Sequence, residues 1–243
     1  MQLRLSPDNP NTRDAWNQAF GADGDWRKNA GRTQTALFAR CFHQHIRVPF
    51  SGAFSVLDVG CALGDALPVW KERFPAATLQ GCDVSEVAIE EARRLHGGIA
   101  SFSVASFEEI TGHHDVIFCS NVLEHFEQYL DIARLLLSHC DTLYVMTPFA
   151  ERDRLGRPLV PTPGEQHVAT FLEDSFAPLE REGVARISTA VVRCPVAWSP
   201  TWRHELLWHL RFLLGSLTDP SPPRRQIIYT LVAAPRSPGG SVA

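Results

Sequence analysis

Between residues 54 and 147, short apolar runs alternate with stretches whose apolar positions recur at helical spacing. Residues 54–59 form a compact apolar run that reads as a buried strand, and residues 65–74, stopped before Pro75, read as the helix after it. Residues 78–83 predict a second strand. Residues 85–95 predict a second helix with Ser85 as N-cap, and Gly97 and Gly98 close it. Three further strands are predicted over 99–104, 116–120 and 143–147, with one long helix over 123–138. This alternation of strand and helix predicts an α/β fold, a mostly parallel sheet with helices on both faces.

The flanks read differently. Residues 1–30 are polar, with Trp16, Phe20 and Trp26 as isolated apolar anchors, and residues 32–46 carry apolar positions at helical spacing. From Pro148 the alternation lapses into a proline-rich surface loop over 148–169. A helix (170–182), a strand (184–192), an amphipathic helix (202–217), a Pro/Ser hinge (219–223) and a last strand (226–233) follow. This pattern divides the chain into an N-terminal lid or helical segment (1–50), a main domain (51–235) with substrate-side insertions at 148–170 and 195–224, and a disordered tail (236–243).

Composition narrows the function classes. The 243 residues carry 23 Lys+Arg against 27 Asp+Glu, a net charge of −4. That balance lacks the basic footprint of a nucleic-acid binder. No apolar run approaches the ~20 residues of a membrane-spanning helix. Nothing at the N-terminus reads as a secretory signal, and the six cysteines stand singly, as reduced core thiols do. The expected location is the cytoplasm.

The chemistry sits in residues 56–64, VLDVGCALG. A buried strand entering a glycine turn lets the backbone approach a ligand closely at the carboxyl edge of the sheet. Asp83, at the end of the second strand, is placed to accept hydrogen bonds from the hydroxyls of a ribose. A dinucleotide would need a third glycine to seat its pyrophosphate, and Leu67 stands where that glycine would fall. Asp58, just before the turn, would repel a pyrophosphate but suits a cationic amino-acid ligand. NAD is thereby disfavoured.

At these residues the chain resembles the class I S-adenosylmethionine-dependent methyltransferases, in their small-molecule subgroup. VLDVGCALG is similar to their first motif, whose common form has glycine where Ala62 stands, and Gly81–Ser85 is similar to their acid-ended second strand. Residues 101–107 resemble the adenine-flanking segment, and residues 115–125, DVIFCSNVLEH, the fourth motif. The resemblance implies a Rossmann-like seven-stranded sheet whose last strand in sequence runs antiparallel, and S-adenosyl-L-methionine as cofactor. It also implies that Asp58 and the turn of Gly60, Cys61, Ala62 and Gly64 meet the methionine moiety, and that Asp83 holds the ribose. Val84 would pack on the adenine, with Ser106 and Phe107 bracketing it. Asn121 and Val122 would line the floor near the sulfonium. Apart from the resemblance, Arg32 and Gln34, ahead of the first helix, read either as an N-terminal lid reaching over the cofactor's carboxylate or as an exposed helix start.

The implied reaction is methylation of a small molecule, most naturally O-methylation of a sugar or secondary-metabolite intermediate. N- or C-methylation, or a non-catalytic cofactor-binding partner subunit, stay open. A neutral imidazole can take a proton from a hydroxyl, so His125 and His167 are the candidate bases. His113 and His114 read as a solvated turn at the far edge of the sheet. Cys41, His43 and His45 alternate along a helix and cannot converge on one metal. With no Asp-Asp/Asn arrangement of the magnesium-holding kind, metal independence is expected. The 202–217 helix could cover substrate, pack on the core or form a homodimer face.

Overall fold

The computed structural model describes residues 9–28, 30–48, 52–151, 166–194 and 225–235. The expected 202–217 helix with its homodimer face, the 219–223 hinge, most of the 148–169 loop and the 236–243 tail lie outside the described residues. The chain opens with α1 (Arg13–Phe20), α2 (Asp25–Lys28) and α3 (Gly31–His45). Alternation follows through β1 (Ser55–Val59), α4 (Leu67–Arg73), β2 (Thr78–Asp83), α5 (Glu86–His96), β3 (Ser101–Val104) and β4 (His114–Ser120). After these come α6 (Tyr129–Leu137), β5 (Cys140–Pro148), α7 (Ala177–Arg181), β6 (Ala185–Arg193) and β7 (Arg225–Ala233).

The sheet has seven strands in the order β3-β2-β1-β4-β5-β7-β6. The first five pair in parallel, whereas β7 runs antiparallel to both β5 and β6. This is the seven-stranded, mostly parallel arrangement expected, with the last strand antiparallel beside β5. Strand side chains alternate between two cores. Val56, Phe118 and Tyr144 pack with α3, α4 and α5, while Leu57, Ile117 and Leu143 pack with α6 and α7. Trp70 of α4 stacks flat on Phe118 at 4.1 Å between ring centroids. The chain runs outward from β1 to β3 and returns to β4 on the other side, so the carboxyl ends of β1 and β4 form a topological switch point, where such sheets bind ligands.

Two helices differ from the sequence reading, and both differences shape the site. The predicted 123–138 helix is broken. Leu123–His125 form one 3-10 turn, Phe126 is extended (φ −131°, ψ 127°), and α6 starts only at Tyr129. The break turns the carbonyl of Glu124 outward, where it accepts hydrogen bonds from Val168 (2.8 Å) and Ala169 (3.1 Å). The predicted 170–182 helix shrinks to α7, because Phe171 and Phe176 are drawn into the core against Tyr129 and Tyr229. Tertiary burial overrides local helical period in both places.

Candidate active site

The turn after β1 is short of donors. The amides of Gly60 (2.8 Å) and Cys61 (3.0 Å) both donate to the Cys82 carbonyl, Gly64 donates to Cys61 (2.9 Å), and the amide of Ala62 donates to Asp83 Oδ2 (2.9 Å). A phosphate site needs N–H groups aimed at the ligand. Here four of them are already used, so the turn offers close backbone approach and carbonyl oxygens, which suit an ammonium group better than an anion. Gly60 has φ +70°, and a Cβ built there would lie 2.4 Å from Val122 Cγ2. Ala62 holds the left-handed region itself at φ 49°.

Asp58 and Asp83 stand on adjacent strands beside this turn, both buried. Burial, reinforced by the charge of Asp83, pushes the Asp58 carboxyl up to about 8. Asp83 is also raised by burial, although the amides of Ser85, Ala62 and Val84 oppose the shift. An acid held up in this way regains its charge when a cation settles against it.

The other end of the same cavity is built from the broken helix. His125 is 7% exposed, and its Nδ1 donates to the Gln166 carbonyl at 2.8 Å. Burial, with His167 adding to it, pushes His125 down to about 4, so its ring is neutral near pH 7. His167 donates Nδ1–H to Glu151 Oε2 at 2.8 Å, and its ring lies edge-on to His125 at 5.2 Å. Glu124 is 1% exposed and Oε2 has no hydrogen-bond partner among the described residues, and burial pushes this carboxyl up to about 7. Asn9 and Asn11, both buried, donate to the His125 carbonyl (3.1 and 3.3 Å), and Asn11 also donates to the Gln166 carbonyl (2.9 Å). They tie the His125 turn to the segment that carries His167.

Most of the expected site residues line one cavity of about 1780 Å3: Asp58, Gly60, Cys61, Ala62, Asp83, Val84, Phe107, Asn121, Val122, Gln34, His125 and His167. Single-ligand pockets span about 300–1,000 Å3. The cavity therefore has room for a cofactor and an acceptor. Two expected residues are not on its wall. Ser106 uses its amide on Glu109 Oε2 (2.7 Å) while Ala105 takes the wall position, and Gly64 serves packing, since a Cβ there would meet Phe102 at 2.9 Å.

Arg32 grips Asp65 through two nitrogens (2.7–3.1 Å) instead of reaching over the ligand. Trp26 and Phe149 also line the cavity, Phe149 under the Arg225 guanidinium at 5.0 Å. His114 corrects the solvated-turn reading, for it is buried at the start of β4, while His113 pairs with Asp141 at 2.8 Å. Cys41 is buried, whereas His45 on the same helix is exposed. The sequence reading missed Glu124, Trp16 and the two asparagines. Glu124 stands within the quoted fourth motif, and an acid there, next to His125, was the available signal.

The sheet order and its helices are those of the Rossmann-like methyltransferase fold. Residues 56–140 match the methyltransferase domain family. Trans-aconitate 2-methyltransferase of Methylobacterium nodulans is 27% identical over 174 residues; the alignment covers 67% of this chain and 66% of that relative, just under two thirds of its length. The plantazolicin methyltransferase BpumL, solved with S-adenosylhomocysteine, superposes with a TM-score of 0.55 at 20% identity, over 91% of this chain and 95% of that one. Magnesium protoporphyrin IX methyltransferase (ChlM) from Synechocystis PCC 6803 superposes with a TM-score of 0.57 at 16% identity, over 93% and 100%. Residues 56–140 are thus similar to a methyltransferase domain, and the surrounding fold is that of S-adenosylhomocysteine-bound methyltransferases. Among the described residues, no helix is long and apolar enough to cross a membrane.

Proposed function

We propose that the protein transfers a methyl group from S-adenosylmethionine to an oxygen of a small-molecule acceptor, a sugar or secondary-metabolite intermediate. The observation that carries this reading is the two-ended cavity, with a donor-poor glycine turn and two buried acids at one end and the Glu124, His125 and His167 cluster at the other. When bound, S-adenosylmethionine supplies a methyl carbon on a cationic sulfur; the S–C bond breaks as the O–C bond forms, leaving a neutral thioether.

This chain's residues do the rest. Asp58 and the turn carbonyls hold the cationic amino end, Asp83 accepts from the ribose, and Phe107 with Val84 flanks the adenine. Asn121, left-handed at φ 54°, and Val122 set the floor of the transfer site. The N-terminal segment closes over the cofactor. Asn17 Oδ1 accepts from Ser85 Oγ at 2.6 Å, and Trp16, Phe20 and Trp26 cover Ala62 and Leu63. His125 and His167 present imidazole lone pairs where the acceptor's proton must leave, and Glu151 fixes the ring of His167. The named acceptors of the relatives, trans-aconitate and magnesium protoporphyrin IX, support a small molecule without choosing one.

Calorimetric titration with S-adenosylmethionine, S-adenosylhomocysteine and NAD tests the cofactor. Micromolar binding of the first two and none of NAD is expected; silence from both sulfur ligands would discard the reading. His125→Ala and His167→Ala should each lower turnover by ~10²-fold or more with cofactor affinity intact.

A further inference from the structure

Three donor groups converge at the acceptor end of the cavity, and their surroundings are arranged as around a metal. The ligand atoms of Glu124, His125 and His167 all lie within 4.8 Å of one another. Each ring has its Nδ1–H engaged, His125 by the Gln166 carbonyl and His167 by the Glu151 carboxylate, both at 2.8 Å. A histidine held in that way presents its lone pair at Nε2. A carbonyl or carboxylate behind the ring is the partner that metal-ligating histidines have. The Glu124 carboxylate is buried with Oε2 lacking any hydrogen-bond partner among the described residues, a costly arrangement unless something cationic occupies the space before it. The backbone reinforces the convergence, since the Glu124 carbonyl holds Val168 and Ala169, and Asn11 bridges the carbonyls of His125 and Gln166.

We propose that Glu124, His125 and His167 form a divalent transition-metal site. Two imidazoles and one carboxylate match zinc or manganese better than magnesium or calcium, which prefer all-oxygen shells. Ligands about 2.0–2.2 Å from an ion stand roughly 3–3.5 Å apart, so the site closes by small side-chain rotations, His167 being only half-buried. Sequence spacing pointed to metal independence because it compared short-range acid pairs. His167 enters from 42 residues beyond His125 in sequence, which no local pattern displays. The role, unlike the binding, rests on the methyltransferase reading. An ion here would bind the acceptor oxygen and lower the pKa of its proton; with both imidazole lone pairs then on the ion, the proton passes to solvent in the metal-loaded protein, and direct transfer to a histidine belongs to the metal-free protein.

The test is metal binding, read without catalysis. The chelator-stripped protein is titrated with zinc and manganese chlorides by calorimetry, with magnesium chloride as contrast. Wild type, Glu124→Gln, His167→Ala and His167→Gln are compared, each also titrated with S-adenosylhomocysteine as a check of folding. The expected result is one zinc or manganese per chain, binding ~10²-fold tighter than magnesium. It should weaken by ~10²-fold or more in the variants while S-adenosylhomocysteine binds as in wild type. Failure of wild type to take up either ion, or uptake unchanged in Glu124→Gln and in whichever His167 variant binds S-adenosylhomocysteine, overturns the metal site. The methyltransferase reading survives that outcome. Metal uptake in a wild-type protein that binds neither sulfur ligand would keep the metal site and remove the methyltransferase reading.

Discussion

The amide of Ala62 donates a 2.9 Å hydrogen bond to Oδ2 of Asp83, so the glycine turn and the proposed ribose acid form one unit. Oδ1 of the same carboxylate accepts from the Ser85 amide at 3.0 Å. Asp83→Ala should therefore damage two properties together. It strands two buried amides, each worth about 1–3 kcal/mol, and weakens S-adenosylhomocysteine binding by ~10²-fold. Asp83→Asn keeps one acceptor oxygen and should cost less on both counts. Urea unfolding and calorimetry measure the two effects, and wild-type affinity in Asp83→Ala would remove it from the site.

Gly60 and Ala62 both have positive φ, yet they should respond oppositely to a change of one methyl. Gly60→Ala adds the ~1–2 kcal/mol of a left-handed residue and drives a Cβ into Val122 at 2.4 Å. A fall in melting temperature of roughly 5–15 °C is expected for a domain of this size. Ala62→Gly relieves the same strain but loses a buried methyl and gains unfolded-state entropy, and these nearly cancel. Its melting temperature should stay within about 3 °C of wild type. Calorimetric scans of the two variants decide this.

The pH dependence of the ligand-free protein follows from Asp58. Its folded pKa, about 8, lies above the ordinary 3.8. A raised folded value means that this group's contribution to stability is complete below about pH 4 and is lost as pH rises through 8. The groups facing it are Asp83, raised by burial, and the thiols of Cys61, Cys82 and Cys119, raised by burial and then by neighbouring acids, Asp83 and Asp58 for the first two and Glu124 and Asp58 for Cys119. Ligand-free stability from this group should therefore fall between about pH 4 and 8 and level off above 8, and Asp58→Asn should flatten that decline. Cofactor binding should show the converse. The ammonium restores the Asp58 charge and releases a proton, so S-adenosylhomocysteine should bind more tightly at pH 8 than at pH 6. Titrations in buffers of different ionisation enthalpy count that proton.

What the sequence disclosed and what it concealed separate along physical lines. β1, β2 and their following helices were legible because burial in a parallel sheet writes itself as short apolar runs, and Asp58, Gly60 and Asp83 lie at the ends of those runs. The break at Phe126 was not legible. Residues 123–138 keep a helical period throughout, and the interruption is set by contacts to Val168, Ala169, Asn9 and Asn11, which are remote in the chain. Phe171 and Phe176 likewise read as the face of a helix and are instead a loop pulled inward by Tyr129 and Tyr229. For the same reason His125 and His167 were found singly, while the cluster they form with Glu124 was not.

Asn11 supplies the sharpest separation of positioning from binding. It is 5% exposed, and its amide group donates to the Gln166 carbonyl (2.9 Å) and the His125 carbonyl (3.3 Å), at the end of the cavity that holds the histidines. Gln166 is also the residue whose carbonyl orients the His125 ring. Asn11→Ala removes the side chain that bridges the two carbonyls, which then keep, among the described residues, the Asn9 amide and the His125 Nδ1–H, and lets the His125 turn drift from the His167 segment, at a cost of about 1 kcal/mol. Because small misplacements at a transfer site are expensive, kcat should fall by ~10–10²-fold. The KM for S-adenosylmethionine should change by less than about threefold, since no cofactor-binding group moves. Asn11→Asp keeps the size but loses the donor, and should share the kcat defect. A purely structural role for Asn11 would instead raise KM and lower kcat together, so steady-state kinetics at saturating acceptor decide between the two.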